Sequence, residues 1–163
     1  MVQEFCKRGY LIEEELPEPP SEERLRDKRP VAYIECPQRI PCSPCKEACR
    51  YDAVIMETIN DVPKVDYEKC NGCMACIRVC PGLAIFMLQI KDDKGYVTLQ
   101  YEFLPWLKKG DRVLVLNRRG EVVGEGIVTW ALNPERNDRT QLVTVEVDKD
   151  LIFEARAVKR VVE

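Results

Sequence analysis

The stretch Cys70-Asn-Gly-Cys73-Met-Ala-Cys76-Ile-Arg-Val-Cys80-Pro81 places four cysteines at short intervals and ends on a proline. Its last three cysteines have counterparts earlier in the chain, because Cys42-Ser-Pro-Cys45-Lys-Glu-Ala-Cys49 repeats their spacing at a constant offset of 31 residues. The 163-residue chain holds nine cysteines and no histidine. Thiols are therefore the candidate ligands or reactive groups of this protein, and most of them lie in this repeat.

The spacing of the later run is typical of cysteines that bind a 4Fe-4S cluster in bacterial ferredoxins. Two intervening residues let successive thiolates from one tight loop converge on a cluster, and the last cysteine of each run binds the other cluster of the pair. The repeat thus predicts two 4Fe-4S clusters with ligands that cross between the runs. One cluster would take Cys70, Cys73, Cys76 and Cys49, and the other would take Cys42, Cys45 and Cys80.

The cluster of Cys42 and Cys45 lacks a ligand at the position that the repeat indicates. Subtracting 31 from position 70 gives Arg39, which cannot bind iron, but Cys36 lies three residues upstream. Residues 36–42 are interpreted as an enlarged loop, since three extra residues extend a chain by up to about 10 Å. Cys36 is accordingly predicted as the fourth ligand, and a single cluster beside a non-functional first site is the alternative.

Zinc and disulfides are the competing uses of these cysteines. Cys42 with Cys45 and Cys70 with Cys73 resemble the two knuckles of a zinc ribbon, but a ribbon would leave four other cysteines without a role. Disulfides require an oxidising compartment, and the first residues show no apolar core of a secretory signal. We expect a cytoplasmic protein without a transmembrane segment, in which Cys6 is a spare thiol.

The repeat extends beyond the cysteines and predicts an α+β, two-cluster ferredoxin-like domain over residues 31–92. Asp52-Ala-Val-Ile-Met56 aligns with Leu83-Ala-Ile-Phe-Met87 at the same offset, so each copy reads as a loop, a short helix and a strand. Residues 105–163 alternate apolar and polar residues, as in Leu142-Val-Thr-Val-Glu-Val147, with turn signals at residues 117–120 and 133–140. This part is predicted to be a small all-β docking domain, an SH3-like barrel, behind a connector at residues 93–104.

Residues 1–30 are too polar and proline-rich to form a core of their own. A short helix fits residues 21–27, with Ser21 as its N-cap. The segment is predicted to be an extended N-terminal arm that crosses the surface of another protein, with a disordered tail as the alternative.

Charge argues against nucleic acid as the partner. Residues 105–163 contain eleven Lys or Arg and ten Asp or Glu, a net charge of +1, whereas nucleic-acid binding normally needs a basic excess. Residues 31–92 are nearly balanced, with eight acids and seven bases. A balanced module with two appendages suits a fixed subunit better than a diffusing acidic carrier.

Three stretches together resemble one family: Glu35-Cys-Pro-Gln-Arg-Ile-Pro-Cys-Ser-Pro-Cys-Lys-Glu-Ala-Cys49, Cys70-Asn-Gly-Cys-Met-Ala-Cys-Ile-Arg-Val-Cys-Pro-Gly-Leu-Ala-Ile85 and Leu132-Asn-Pro-Glu-Arg-Asn-Asp-Arg-Thr140. They are similar to the ferredoxin-like small subunits of multisubunit FAD-dependent dehydrogenases, of the dye-linked proline or hydroxyproline dehydrogenase and anaerobic glycerol-3-phosphate dehydrogenase types. The resemblance implies that the chain passes electrons from an FAD-bearing partner subunit to a second flavoprotein or a quinone-like acceptor.

The resemblance also implies that the flavin lies on partner subunits and that no residue of this chain is catalytic in the acid–base sense. The implied ligands are Cys36, Cys42, Cys45, Cys49, Cys70, Cys73, Cys76 and Cys80. A free two-cluster ferredoxin carrier and a cluster-bearing regulator or nucleic-acid-binding protein are the alternative functions.

Overall fold

The computed structural model describes residues 4–162, which form short helices and a large antiparallel sheet. The helices are α1 (Glu4–Arg8), α2 (Glu22–Leu25), α3 (Pro44–Ala48) and α4 (Ala75–Val79), with 3-10 turns at Glu13–Glu15, Pro134–Arg136 and Lys149–Leu151. The strands are β1 (Val31–Ile34), β2 (Val54–Ile55), β3 (Lys64–Val65), β4 (Ile85–Lys91), β5 (Lys94–Tyr101), β6 (Arg112–Leu116), β7 (Val122–Ala131), β8 (Gln141–Asp148) and β9 (Ala157–Arg160).

The internal repeat of the sequence is an internal repeat of the structure. Each cysteine run contains a five-residue helix, α3 in the first copy and α4 in the second, and the two helices pack against each other. Each helix is followed by a strand, β2 after α3 and β4 after α4. The predicted order of loop, short helix and strand is therefore confirmed in both copies.

One seven-stranded sheet, in the order β1-β4-β5-β8-β7-β6-β9, runs through the rest of the chain. The division expected between residues 92 and 93 falls in the tight turn of the β4–β5 hairpin. The expected connector at residues 93–104 is different in the structure, because residues 94–101 form β5 and pair along their whole length with β8. Alternate side chains of β5, such as Val97 and Leu99, are buried in the core. Burial of these apolar side chains stabilises β5 as part of the sheet.

A single apolar core joins the two regions that the sequence predicts to be separate domains. Val31 and Leu88 from the first region and Val113, Val115 and Val143 from the second are all fully buried in it. A second apolar cluster lies beside it and contains most of the cysteines of the repeat. The other face of β1 and β4 thus supports the cysteine-rich region.

Strands β5 to β9 enclose much of the core, but the pairing found in residues 4–162 leaves β1 and β9 as the two edges of the sheet. The hairpin loop expected at residues 117–120 joins β6 to β7, and the polar loop expected at residues 133–140 joins β7 to β8. The strand pairing in residues 4–162 does not form a closed barrel. The SH3-like fold of residues 105–163 stays a prediction.

The N-terminal arm packs on its own chain, whereas the sequence predicts that it crosses the surface of another protein. Ser21 caps α2 as predicted, its hydroxyl accepting a hydrogen bond from the backbone N–H of Arg24 at 3.2 Å. The Arg24 guanidinium donates to the carbonyls of Tyr67 at 2.9 Å and Cys70 at 2.6 Å. The hydroxyl of Tyr33 donates to the carbonyl of Pro17 at 3.0 Å. Since the arm donates hydrogen bonds to backbone carbonyls at and just before the second cysteine run, residues 17–30 pack as part of the cluster module.

None of the helices in residues 4–162 has both the length and the apolar character that a membrane crossing requires.

Candidate metal centre

Cys36 and Cys45 lie close to two other cysteines from different parts of the sequence. Burial, followed by the neighbouring thiolates of Cys80, Cys36 and Cys42, raises the pKa of Cys45 to about 11. The pKa of Cys36 is also raised by burial first, and then by Cys80 and Cys42. The charges that act on both thiols come from the same set of cysteines, and Cys36, Cys45 and Cys80 also pack in the second apolar cluster. We call Cys36, Cys42, Cys45 and Cys80 the first group.

Cys76 has a different set of neighbours. Burial, followed by Cys70 and then by Cys73 and Cys49, raises the pKa of this thiol to about 12. The same four cysteines line one small cavity, which is walled by apolar side chains that include Val54 and Met87. We call Cys49, Cys70, Cys73 and Cys76 the second group. Cys49 and Cys80 have thus exchanged places between the two sequence runs, as the ferredoxin pattern requires.

Backbone N–H groups point at the sulfurs in a way that follows the repeat. The N–H of Ala53 donates to Cys49 Sγ at 3.3 Å, and the N–H of Ala84, 31 residues later, donates to Cys80 Sγ at 3.5 Å. Both contacts depend on a left-handed residue just before the donor, Asp52 with φ 51° and Leu83 with φ 52°. A hydrogen bond to sulfur stabilises the thiolate form that binds iron.

Strand β1 supplies a further donor, since the N–H of Ala32 lies 3.4 Å from Cys70 Sγ. The loop that carries Cys70 is held close to the arm at Gly72, which has a φ of 74°. A β-carbon on Gly72 would lie less than 3.0 Å from the carbonyl oxygen of Pro30, closer than real contacts allow. Glycine is therefore required here for two independent reasons, the backbone conformation and the lack of space.

The arrangement fits iron–sulfur chemistry better than zinc. In the zinc-ribbon alternative, Cys42 and Cys45 would share one ion with Cys70 and Cys73, but the structure assigns these pairs to different groups. Over residues 4–162, no three Cys, Asp or Glu side chains lie close enough to hold one ion. Zinc needs all its sulfurs at about 2.3 Å, whereas a cube of four irons and four sulfides spreads its ligands more widely. The donor set and the N–H groups suit the cube.

Solvent reaches the two groups unequally. Cys45 and Cys76 are buried, whereas Cys73 is exposed at the surface of the second group. A surface groove of about 940 Å³ is bordered by Cys73 and also by Cys80 of the first group, together with Arg78 and residues 136–138. Cys6 lies exposed on α1. Both groups therefore border one accessible face of the protein.

Comparison with known proteins supports this chemistry. Residues 63–86 match the family described as the 4Fe-4S binding domain. This part of the chain is therefore similar to 4Fe-4S binding domains. It is 34% identical over 86 residues to an uncharacterized ferredoxin of Methanocaldococcus jannaschii, a match that covers 52% of this chain and 53% of that protein. No solved structure matches the chain significantly.

Two further relatives match the chain over shorter stretches. The ferredoxin-type protein NapF of Haemophilus influenzae is 36% identical over 59 residues, 34% of each chain. A protein named as part of an ion-translocating oxidoreductase complex of Methanosarcina acetivorans is 31% identical over 65 residues, 40% of this chain and 23% of that protein. The chain thus spans about half of the first relative and about a third or less of these two.

Sequence reasoning missed two features of the site. It did not identify the backbone donors, although the repeat of alanine at positions 53 and 84 was a usable signal. It also missed Glu35, the residue before Cys36, which is buried in an ion cluster with Arg118 and Arg156. No local pattern indicates the second feature, since its members are 83 and 121 residues apart in sequence.

Proposed function

We propose that this chain is an iron–sulfur electron-transfer subunit that passes single electrons through two 4Fe-4S clusters, one in each group of four cysteines. The observation that carries the proposal is the exchange of Cys49 and Cys80 between the two runs, because a single-cluster or single-ion protein has no use for it. The partners are the FAD-bearing subunits of a dehydrogenase complex. Cytoplasmic localisation and the lack of a nucleic-acid partner stay predictions from the sequence.

The residues of this chain would hold, orient and shield the clusters. A bound 4Fe-4S cluster supplies the capacity to accept and release one electron with little rearrangement. The cysteines of each group anchor it, and the N–H groups of Ala32, Ala53 and Ala84 stabilise the sulfurs. The packing of α3 against α4 keeps the two groups close. Electrons would be exchanged with a partner at the groove beside Cys73 and Cys80.

An apolar groove beside the edge strand β9 supports a bound subunit over a free carrier. Val162, Leu104 and Phe103, which are 86%, 76% and 70% exposed, are the most exposed large apolar residues of the described chain. All three line one groove of about 1020 Å³ between the end of β5 and the edge strand β9. Exposed apolar surface concentrated in this way is typical of an interaction site. We call it the edge groove.

Charge and backbone geometry indicate what the edge groove would bind. Among residues 4–162, its rim carries Arg112, Lys159 and Arg160 against a single acid, Asp111. β9 pairs only with β6 in residues 4–162, so its outer edge offers backbone N–H and C=O groups to another strand. We assign the edge groove to an extended, apolar and acidic segment of the flavoprotein subunit. Relatives named as members of ion-translocating oxidoreductase complexes are consistent with a fixed place in an assembly.

Replacing Leu104 with glutamate is expected to separate the subunit from its partners without affecting its clusters. The new carboxylate would be buried against apolar surface in the complex, which costs binding free energy. In the free subunit the side chain is exposed, so the folding of the subunit does not carry this cost. Affinity-tagged protein would be purified anaerobically from its native source and assayed for flavin and iron in the same eluate. Wild-type protein should carry stoichiometric flavoprotein, and Leu104→Glu should retain its iron and lose the flavin.

Val122→Glu is the matched control, because Val122 is 58% exposed on β7 and does not line the edge groove. It should behave as wild type. Wild-type protein that elutes with full iron as a flavin-free monomer would instead identify a free ferredoxin carrier. Nucleic acid retained through a high-salt wash would point to the regulatory alternative.

A further inference from the structure

A buried ion cluster lies beside the first group of cysteines. Glu35 Oε1 accepts hydrogen bonds from Arg156 Nε at 2.7 Å and from Arg118 Nη2 at 2.5 Å, and Glu35 Oε2 accepts from Arg118 Nε at 2.9 Å. The side chains of Arg156, Glu35 and Arg118 are only 4%, 6% and 12% exposed. Two guanidinium groups and one carboxylate leave this cluster with a net charge of +1, since arginine stays protonated in proteins.

Neither guanidinium forms an ion pair with a second carboxylate within residues 4–162. Arg156 lies over the rings of Phe86 and Tyr33, with its guanidinium carbon 4.7 Å and 5.6 Å from their centres. Burial lowers the pKa of Arg156, and Glu35 is the one carboxylate among the groups of residues 4–162 that act on it. Its Nη2 is buried without a hydrogen-bond partner in the described structure. Well-packed apolar residues would serve stability at least as well as such a cluster.

The position of this charge relates it to the first group more than to the second. Glu35 and Cys36 directly follow β1 as consecutive residues. Glu35 accepts a hydrogen bond from Arg156, which lies over the Tyr33 ring of the main core, whereas Cys36 packs against the second apolar cluster. The charge is thus next to Cys36 along the chain. The second group meets β1 three residues before Glu35, at Ala32, which is about 10 Å farther along the strand.

We propose that the net positive charge of Glu35, Arg118 and Arg156 raises the reduction potential of the first cluster above that of the second. The proposal rests on the proposed function, because it requires a cluster in the first group. An added electron makes a cluster more negative, and a fixed positive charge in a poorly screened interior favours that state. The clusters would then differ in potential although their cysteine loops repeat, and an electron arriving at the second group would move to the first.

Substitutions that change the charge in opposite directions test this directly. Arg156→Gln removes the net charge and is expected to lower the potential of the first cluster, whereas Glu35→Gln increases the net charge to +2 and is expected to raise it. Arg156→Lys keeps the charge and should leave the potential close to the wild-type value. Each potential would be measured by anaerobic redox titration followed by EPR, with iron counted per chain in the same samples.

Two additional variants make the test independent of folding defects. Arg118→Gln, at the more accessible end of the cluster, should also lower the potential of the first cluster. This variant supplies the test if Arg156→Gln fails to fold. Arg119→Gln is the matched control, since Arg119 is the next residue but is exposed and hydrogen-bonds Tyr10, so solvent screens its charge. It should not shift either potential.

Two results would overturn the proposal: shifts in the same direction for Arg156→Gln and Glu35→Gln, or unchanged potentials in variants with full iron. Both leave the two-cluster function in place. Wild-type protein with iron for only one cluster would overturn the proposed function itself, and the iron count separates this case from the other two.

Discussion

Cys36→Ala is expected to lose about four iron atoms per chain and to keep the second cluster, because one thiolate of the first group would be missing. Cys36 is the predicted ligand that departs from the repeat, since Arg39 occupies the matching position. In the structure, burial raises the pKa of Cys36, and the nearby Cys80 and Cys42 raise it further. Cys36 therefore belongs with the first group. The measurement is iron and acid-labile sulfide per chain, with EPR of the reduced protein to count the remaining clusters.

Cys6→Ala provides the control for this experiment. Cys6 is exposed on α1, and its removal should leave iron and sulfide at wild-type values. Cys49→Ala should produce the complementary loss, leaving the first cluster and removing the second. Unchanged iron in Cys36→Ala would show that Cys36 is not a ligand and that the enlarged loop has another role.

Gly72→Ala is expected to destabilise the second cysteine loop and to release the iron of the second group, again about four atoms per chain. The left-handed backbone at Gly72 alone costs a residue with a β-carbon about 1–2 kcal/mol. The close approach of the Pro30 carbonyl adds to this cost, because neither backbone segment can move without displacing the arm or Cys73. Iron per chain and the rate of iron release to a chelator would measure the effect.

Gly82→Ala is a well-matched control, because Gly82 lies two residues after Cys80 but a β-carbon there would meet no atom within 4 Å. This variant should bind iron as the wild type does. Equal iron content and equal release rates for Gly72→Ala and Gly82→Ala would contradict the close packing of the arm on the second cysteine loop.

The local features of the site can be predicted from the sequence because short-range chemistry determines them. The spacing of Cys70, Cys73 and Cys76 is set by the reach of one loop, and the short helix within each run follows from the repeat. Ser21 is recognisable as a helix cap because capping depends on residues within one turn. The cysteines that neighbour one another in the structure follow the sequence-based sets, and their role as cluster ligands stays a prediction.

The long-range features cannot be predicted in the same way. The sequence analysis places residues 94–101 in a connector, although Tyr96-Val-Thr-Leu-Gln-Tyr101 alternates like a strand. Its partner β8 lies far away in sequence, 46 residues at the Thr98–Thr144 pair. The polarity of the arm suggests contact with another protein, and it does not reveal that Arg24 finds carbonyls of its own chain. Partners that meet only in the folded chain leave no periodic pattern in the sequence.

The iron and acid-labile sulfide content of the anaerobically purified chain, with EPR of the reduced protein, tests the two-cluster assignment most directly. Two groups of four cysteines predict about eight irons and eight sulfides per chain and the signals of two interacting 4Fe-4S clusters. About four of each would contradict the two-cluster assignment and favour a single cluster. Zinc without sulfide would contradict iron–sulfur chemistry in this protein altogether.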